Sequence, residues 1–130
     1  MDRQVQAFRQ EMRDRIGECE LCGHSPKNAH KDKPRSCSSL NLHEISNGPD
    51  RWKSLDKPYC LLCLCAWCNQ NVVTDRSEWP ESRQQALLAQ NRPEDFDLFA
   101  YLELTNPRAP KRITIDEVLK STEEQYLSNT

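Results

Sequence analysis

The sequence predicts an α+β fold in which a short β-hairpin lies between helical segments. Residues 40–45 read LNLHEI and alternate apolar with polar side chains, which is the two-residue period of a half-buried strand. Residues 59–65 form a second extended apolar run. Residues 3–16 instead carry an apolar side chain at every third or fourth position, as a helix with one buried face does. Because a two-stranded hairpin is not stable alone, we expect a further element to hold it.

Two Cys-x-x-Cys pairs are the candidates for that element: Cys19/Cys22 precede the hairpin, and Cys65/Cys68 lie at its end. Four thiolates from two such pairs bind zinc tetrahedrally, with Zn–S bonds of about 2.3 Å. The intervening segment, residues 23–64, is longer than the roughly 15–20 residues of a common zinc ribbon. The ion would therefore join the two ends of a long insertion. In a chain with only 36% hydrophobic residues, such a metal would contribute much of the folding free energy.

A second arrangement of the cysteines stays open, because Cys60/Cys63 have the same spacing as Cys65/Cys68. Cys60 and Cys63 fall within the apolar run, where cysteine is more typically a small buried hydrophobic residue. Cys37 has no partner in this pattern, and we expect a free thiol in a loop. An odd number of cysteines and a polar first segment favour an intracellular metal-binding protein over a secreted disulfide framework.

The C-terminal third contains no cysteine and is predicted to be helical. Residues 80–90 form one helix with proline at its start, and a second helix opens at Pro93. Thr114 and Glu117 form a capping box, so a last short helix follows, with residues 121–130 frayed.

We divide the chain accordingly into two regions. Residues 1–76 form a zinc-binding domain that includes the N-terminal helix 3–16, and residues 77–130 form a helical extension packed on that core. No apolar run is long enough to cross a membrane. The net charge of −2 gives no overall attraction to nucleic acid, although residues 1–60 carry 11 basic against 9 acidic residues.

The order of these motifs resembles the HNH, or ββα-metal, endonuclease family. The stretches that carry the resemblance are Cys19–Gly23, Leu42–Ile45 and Leu64–Asn69, and it spans roughly residues 17–75. It implies a zinc-stapled ββα-metal core with a structural Zn²⁺ on the four cysteines. It also implies a catalytic divalent ion, which would be Mg²⁺, Mn²⁺, Ni²⁺ or Zn²⁺, and hydrolysis of DNA phosphodiester bonds.

The resemblance also implies catalytic roles. In the family the first strand ends in Asp-His or His-His, where the first residue binds the catalytic metal and the second activates water. Here His43 falls on the metal position, Glu44 on the base position and Asn69 on a final ligand position. The reverse assignment, with His43 as the base and Glu44 or another carboxylate at the metal, stays open. Cys60 stands where the family has an asparagine that steadies the base, so the chain departs from the pattern twice.

DNA would be contacted mainly through its backbone phosphates, and the residues expected there are Arg51, Trp52, Lys53 and Lys57. Because of the two departures, a catalytically degenerate zinc module that binds DNA or a protein is the alternative. Each proposed catalytic residue also has a simpler interpretation: His43 as a hydrogen-bonded histidine at a strand end, and Asn69 as a helix cap. A third hypothesis is a zinc-ribbon subunit whose C-terminal helices dock on a protein partner.

Overall fold

The computed structural model describes residues 1–23, 25, 39–46, 51–105 and 113–128, with side chains up to residue 121. The elements are α1 (Arg3–Ile16), β1 (Leu40–Glu44), β2 (Leu61–Cys65), α2 (Ala66–Cys68), α3 (Glu81–Asn91), α4 (Leu98–Thr105) and α5 (Ile115–Ser128). Two single 3₁₀ turns, Arg51–Ser54 and Pro58–Cys60, precede β2, and a π-helical turn, Asn69–Val73, extends α2. The predicted α+β class is confirmed.

The two strands pair antiparallel, with Leu40 opposite Cys65 and Glu44 opposite Leu61. Beyond the strands, the Ile45 N–H donates to the Cys60 carbonyl at 2.9 Å. All five residues of β2 are fully buried, so β2 has a covered face on both sides. The hairpin is therefore the middle layer of the molecule rather than a surface ribbon.

Helix α1 covers one face of the hairpin. It begins after Asp2, whose carboxylate accepts the Gln4 N–H, and it ends at Gly17, whose φ of +73° is left-handed. The predicted helix over residues 3–16 is confirmed. Met12 is buried against the sheet as its spacing predicted. Arg9 is also buried, which its charge did not predict.

Helix α3 packs against β2 and against α5. It matches the helix predicted over residues 80–90 with a shift of one residue. The following helix, α4, begins at Leu98 rather than at Pro93, because the Phe96 N–H bonds to the Arg92 carbonyl in an intervening turn. Within α4, Leu98 and Tyr101 are buried, whereas Phe99 is 79% exposed.

Helix α5 runs much further than the short helix expected from the sequence, since it continues to Ser128. Its start is as predicted: the Thr114 hydroxyl accepts the Glu117 N–H at 3.2 Å. Val118 anchors the helix in the core. Within the described ranges, no helix is both long enough and apolar enough to cross a bilayer.

Candidate functional site

Four cysteine sulfurs meet at one end of the hairpin, those of Cys19, Cys22, Cys65 and Cys68, and all lie within 4.8 Å of one another. The Cys22 and Cys65 sulfurs are 3.8 Å apart. A regular tetrahedron with Zn–S bonds of about 2.3 Å has edges of about 3.8 Å, so the spacing fits zinc. In the described part of the chain, no other group of three or more histidine, cysteine or acidic side chains comes as close. The four cysteines can hold a structural metal ion such as zinc.

Each Cys-x-x-Cys pair is folded into a turn whose N–H groups point at sulfur. The Cys22 N–H lies 3.5 Å from the Cys19 sulfur, and the Cys68 N–H lies 3.4 Å from the Cys65 sulfur. Gly23 completes the first turn with a φ of +81°, a left-handed conformation that glycine adopts without strain. Such N–H···S contacts stabilise thiolates and so prepare the sulfurs for a cation.

Glu20, between the first two cysteines, attaches the first turn to the outer edge of β2. Its N–H donates to the Cys63 carbonyl, and its carboxylate accepts the Cys63 N–H, both at 2.8 Å. The other carboxylate oxygen accepts the Arg92 Nε–H at 3.1 Å, and both side chains are buried. Arg92 also donates to the Leu61 carbonyl and pairs with Asp95 at 2.7 Å. This network connects the metal site, the sheet edge and the end of α3.

The alternative pair, Cys60/Cys63, does not reach the cluster. Both thiols are buried, and desolvation raises the pKa of each to about 12, so they stay protonated. The structure therefore brings Cys65/Cys68 to the first pair, and leaves Cys60 and Cys63 as small core residues. Cys37 lies outside the described residues.

His43 lies near the other end of the hairpin, opposite Leu62. Leu62 is three residues from Cys65, which is about 10 Å along a strand. The His43 Nε2 lies 2.8 Å from Gln84 Oε1, and Gln84 Nε2 donates to the Trp79 carbonyl at 2.8 Å. A carbonyl can only accept, so Gln84 must turn its own oxygen to the imidazole, and His43 Nε2 must carry the hydrogen.

The other ring nitrogen of His43, Nδ1, consequently holds a lone pair and makes no hydrogen bond within the described residues. Burial lowers the pKa of His43 below its ordinary value of 6.5, which favours the neutral ring at pH 7. Gln84 is fully buried, so its hydrogen bond to the ring is shielded from water. The imidazole is thus fixed in one tautomer with a basic nitrogen available.

Glu44 points to the opposite face of β1 from His43, because successive strand residues alternate. Its carboxylate pairs with Arg51 Nε at 3.3 Å and with Arg9 Nη2 at 3.8 Å, and it is 8% exposed. His43 faces α3, whereas Glu44 faces α1. The structure therefore does not gather the two residues into one catalytic pair, and Glu44 is already occupied by two guanidinium groups.

Asn69 lies one residue past Cys68, at the start of the π-helical turn. Its N–H donates to the Ala66 carbonyl and continues the helix, and its side chain is half-buried. The nearby Asn71 side chain donates to the Trp67 carbonyl at 3.0 Å. Asn69 therefore lies at the end of the hairpin where the four cysteines meet.

No family model, curated protein or solved structure matches this chain. Any functional assignment therefore rests on the geometry of its own residues.

The residues predicted to contact DNA lie on one exposed segment before β2. The Trp52 ring is 69% exposed, and the Lys53 ammonium lies 5.8 Å from its centroid. Lys57 pairs with Asp56 at 3.4 Å, and the Arg51 side chain is 61% exposed. Three cations and an exposed aromatic ring on one short segment give a surface suited to a phosphate backbone.

Two residues that shape the His43 environment could not be identified in the sequence. One is Gln84, which is 41 residues away in the chain and appeared there only as one polar position in a predicted helix. The other is Arg76, whose Nη1 donates to the Ile45 carbonyl at 2.8 Å. Neither has a local sequence signal, because each acts through a tertiary contact.

Proposed function

We propose that this chain is an HNH-type endonuclease that hydrolyses DNA phosphodiester bonds. The observation that carries the proposal is the state of His43: one nitrogen is anchored by Gln84, and the other keeps its lone pair. A neutral imidazole with a fixed tautomer can accept a proton from water, as a general base must. The position of this ring on the first strand of a cysteine-stapled hairpin agrees with the resemblance to the HNH family.

His43 rather than Glu44 is the base in this proposal. The Glu44 carboxylate forms ion pairs with two guanidinium groups, and a proton transferred to it would break those ion pairs. His43 Nδ1 has no such commitment. Of the two assignments that the sequence leaves open, the contacts favour histidine as the proton acceptor, although the Glu44 that this assignment puts at the metal is paired with two guanidinium groups.

A catalytic divalent ion is part of the proposal, and the fit of the residues to it is incomplete. With Glu44 engaged by Arg51 and Arg9, Asn69 is the ligand that the resemblance still assigns, and it lies at the cysteine end of the hairpin, whereas His43 lies near the other end. Ions such as Mg²⁺ keep several waters and take other ligands from substrate phosphates, so few protein ligands are needed. When bound, such an ion would stabilise charge on the phosphate.

The alternative is a zinc module that binds DNA without cutting it. The observation that favours it is the engagement of Glu44 in ion pairs, together with Cys60 at the position of the family's asparagine. The exposed segment with Trp52 and Lys53 would serve either function. A protein partner on the C-terminal helices would have Ile115 and Leu119 to cover, which are half exposed and one helical turn apart.

A plasmid-nicking assay with added Mg²⁺, Mn²⁺ or Ni²⁺ separates the two functions. We expect His43→Ala to lower nicking by about 10²- to 10⁴-fold, the usual contribution of a general base, with the zinc content unchanged. Asn41→Ala is the matched control, since Asn41 lies on the same strand and is exposed. Nicking that survives His43→Ala would eliminate the proposed base. A wild-type chain that shifts DNA on a gel but never nicks it would establish the binding module.

A further inference from the structure

The geometry points to a phosphate clamp made of Arg51 and Arg76, which would take a phosphodiester group of nucleic acid at the end of β1, where Glu44 and Ile45 anchor them. This inference deepens the proposed function and rests on it for the identity of the ligand. Arg51 was expected at phosphates only as one of several cations in a loop. Arg76 comes from a separate part of the chain, after α2, and no motif of the sequence includes it.

Each arginine is anchored by one edge of its guanidinium to the residues that directly follow His43. Arg51 Nε pairs with Glu44 Oε1 at 3.3 Å, and Arg76 Nη1 donates to the Ile45 carbonyl at 2.8 Å. A guanidinium has five N–H donors, so each anchor uses only part of the group. Neither guanidinium makes another hydrogen bond within the described residues. The free donors of both are oriented by contacts that already hold the side chains in place.

The charges around this end of the hairpin do not balance. Three guanidinium groups, those of Arg9, Arg51 and Arg76, meet one carboxylate, that of Glu44, while the chain as a whole carries −2. Arg9 is buried and donates to the carbonyls of β1 and of the following loop, so its role is structural. The positive charges of Arg76 and Arg51 also contribute, after burial, to the lowered pKa of His43.

The excess positive charge favours an anion, and the donor type favours a phosphate. The planar fork of arginine matches the oxygens of a phosphate better than a lysine ammonium does. Trp52, next to Arg51, is exposed and offers a ring face to a base or sugar. Nucleic acid supplies a phosphate for the arginines and a base or sugar for Trp52 at once. A free carboxylate supplies neither a third oxygen nor the ring contact.

The test measures binding of a fluorescent DNA duplex by anisotropy, without added divalent ions, across a salt series. We expect Arg51→Gln and Arg76→Gln each to weaken binding by about tenfold, the size of one charge-assisted hydrogen bond. Each should also reduce the slope of log affinity against log salt by about 0.9, since one phosphate contact is lost. Arg3→Gln is the matched control because Arg3 is exposed on α1, and it should change neither quantity.

A charge-retaining variant guards against a purely structural effect of Arg76. Arg76→Lys should keep the salt slope and lose only part of the affinity, and all variants should retain zinc and the wild-type unfolding midpoint. Wild-type affinity and slope in both glutamine variants would overturn the clamp, as would equal losses in Arg3→Gln or no DNA binding by the wild type.

The outcomes also separate the clamp from the nuclease. If no protein nicks DNA, yet binding falls with each arginine, the clamp stands and the nuclease fails. If His43→Ala abolishes nicking while the arginine variants bind and cut as wild type does, the nuclease stands and the clamp fails.

Discussion

The two ends of the β-hairpin are held together by different chemistry. Where Leu40 lies opposite Cys65, four sulfurs converge and the first cysteine turn docks on the strand edge. Where Glu44 lies opposite Leu61, the hairpin is held by guanidinium groups that bind backbone carbonyls and one carboxylate. We call these the sulfur end and the arginine end.

The sulfur end and the arginine end differ in a way that suits one to folding and the other to chemistry. A metal site closes completely, because four ligands satisfy a tetrahedral ion and leave no position open. A guanidinium that binds one carbonyl is only partly satisfied, because it has more N–H bonds than one carbonyl uses. Stability is thus expected from the sulfur end, and ligand binding and proton transfer from the arginine end.

The largest expected effect is loss of the metal. A structural zinc contributes about 10–16 kcal/mol in small domains, which equals or exceeds the whole stability of a typical domain. Cys65→Ser, or a strong chelator, should therefore unfold the chain, as followed by circular dichroism with zinc analysis. Cys60→Ala is the control and should keep one zinc per chain. Zinc retained in Cys65→Ser but lost in Cys60→Ala would contradict the assigned ligands.

The next effect concerns the buried pair of Arg92 and Glu20. Arg92→Met leaves the Glu20 carboxylate buried without its partner, and we expect a loss of about 3–5 kcal/mol in the free energy of unfolding. Arg15→Met is the matched control: Arg15 also pairs with Asp95, but its side chain is 50% exposed, so about 1 kcal/mol or less is expected. Urea unfolding of the zinc-loaded proteins measures both. Equal losses would show that the Arg92 network does not secure the sulfur end.

A third effect concerns the protonation of the His43 ring. Its folded pKa lies below the unfolded value of about 6.5, so the unfolded chain binds more protons in the intervening range. The contribution of His43 to stability should therefore fall as the pH drops below about 6.5. Gln84→Glu places a carboxylate at Nε2 and should raise the His43 pKa, against the opposing charges of Arg76 and Arg51 and in addition to that of Glu44.

Ring resonances of His43, followed by NMR through a pH titration, give this pKa directly. Gln90→Glu provides the control, since Gln90 is on the same helix but exposed, and it should leave the midpoint where it is in the wild type. A midpoint at or above 6.5 in the wild type would mean that the ring is not kept neutral by its surroundings.

The smallest effect is expected at Glu44. If it positions Arg51 and does not accept the proton, Glu44→Gln should lower nicking by about tenfold or less, the scale of a partly exposed ion pair. A loss of about 10²- to 10⁴-fold would instead identify Glu44 as the base. Asp56→Asn, which removes the exposed partner of Lys57, serves as the control and should leave nicking unchanged.

Local patterns in the sequence were enough to predict the sulfur end. The Cys-x-x-Cys spacing and the apolar stripe of the first helix each depend on neighbouring residues, and the structure agrees with both. The two strands followed from an alternation over a few residues in the same way.

The arginine end, and the Glu20–Arg92 network of the sulfur end, could not be predicted, because their contacts join distant residues. Nothing local marks Gln84 as the partner of His43 or Glu20 as the partner of Arg92, and the latter pair is 72 residues apart. The pattern also placed His43 and Glu44 together because they are adjacent, whereas a strand sends adjacent side chains to opposite faces. Helix α5 was underestimated since its later residues are polar, and polarity alone does not end a helix.

Glu20 has a consequence for handling the protein without its metal. By occupying both backbone groups of Cys63, it blocks the free side of a strand whose residues are all apolar. Removal of the ion would release the cysteine turn and with it this cover, leaving an open apolar strand to which a second chain can add. Chelated preparations should therefore aggregate through this strand, and precipitation on metal loss would be reversible only while zinc returns before strands pair.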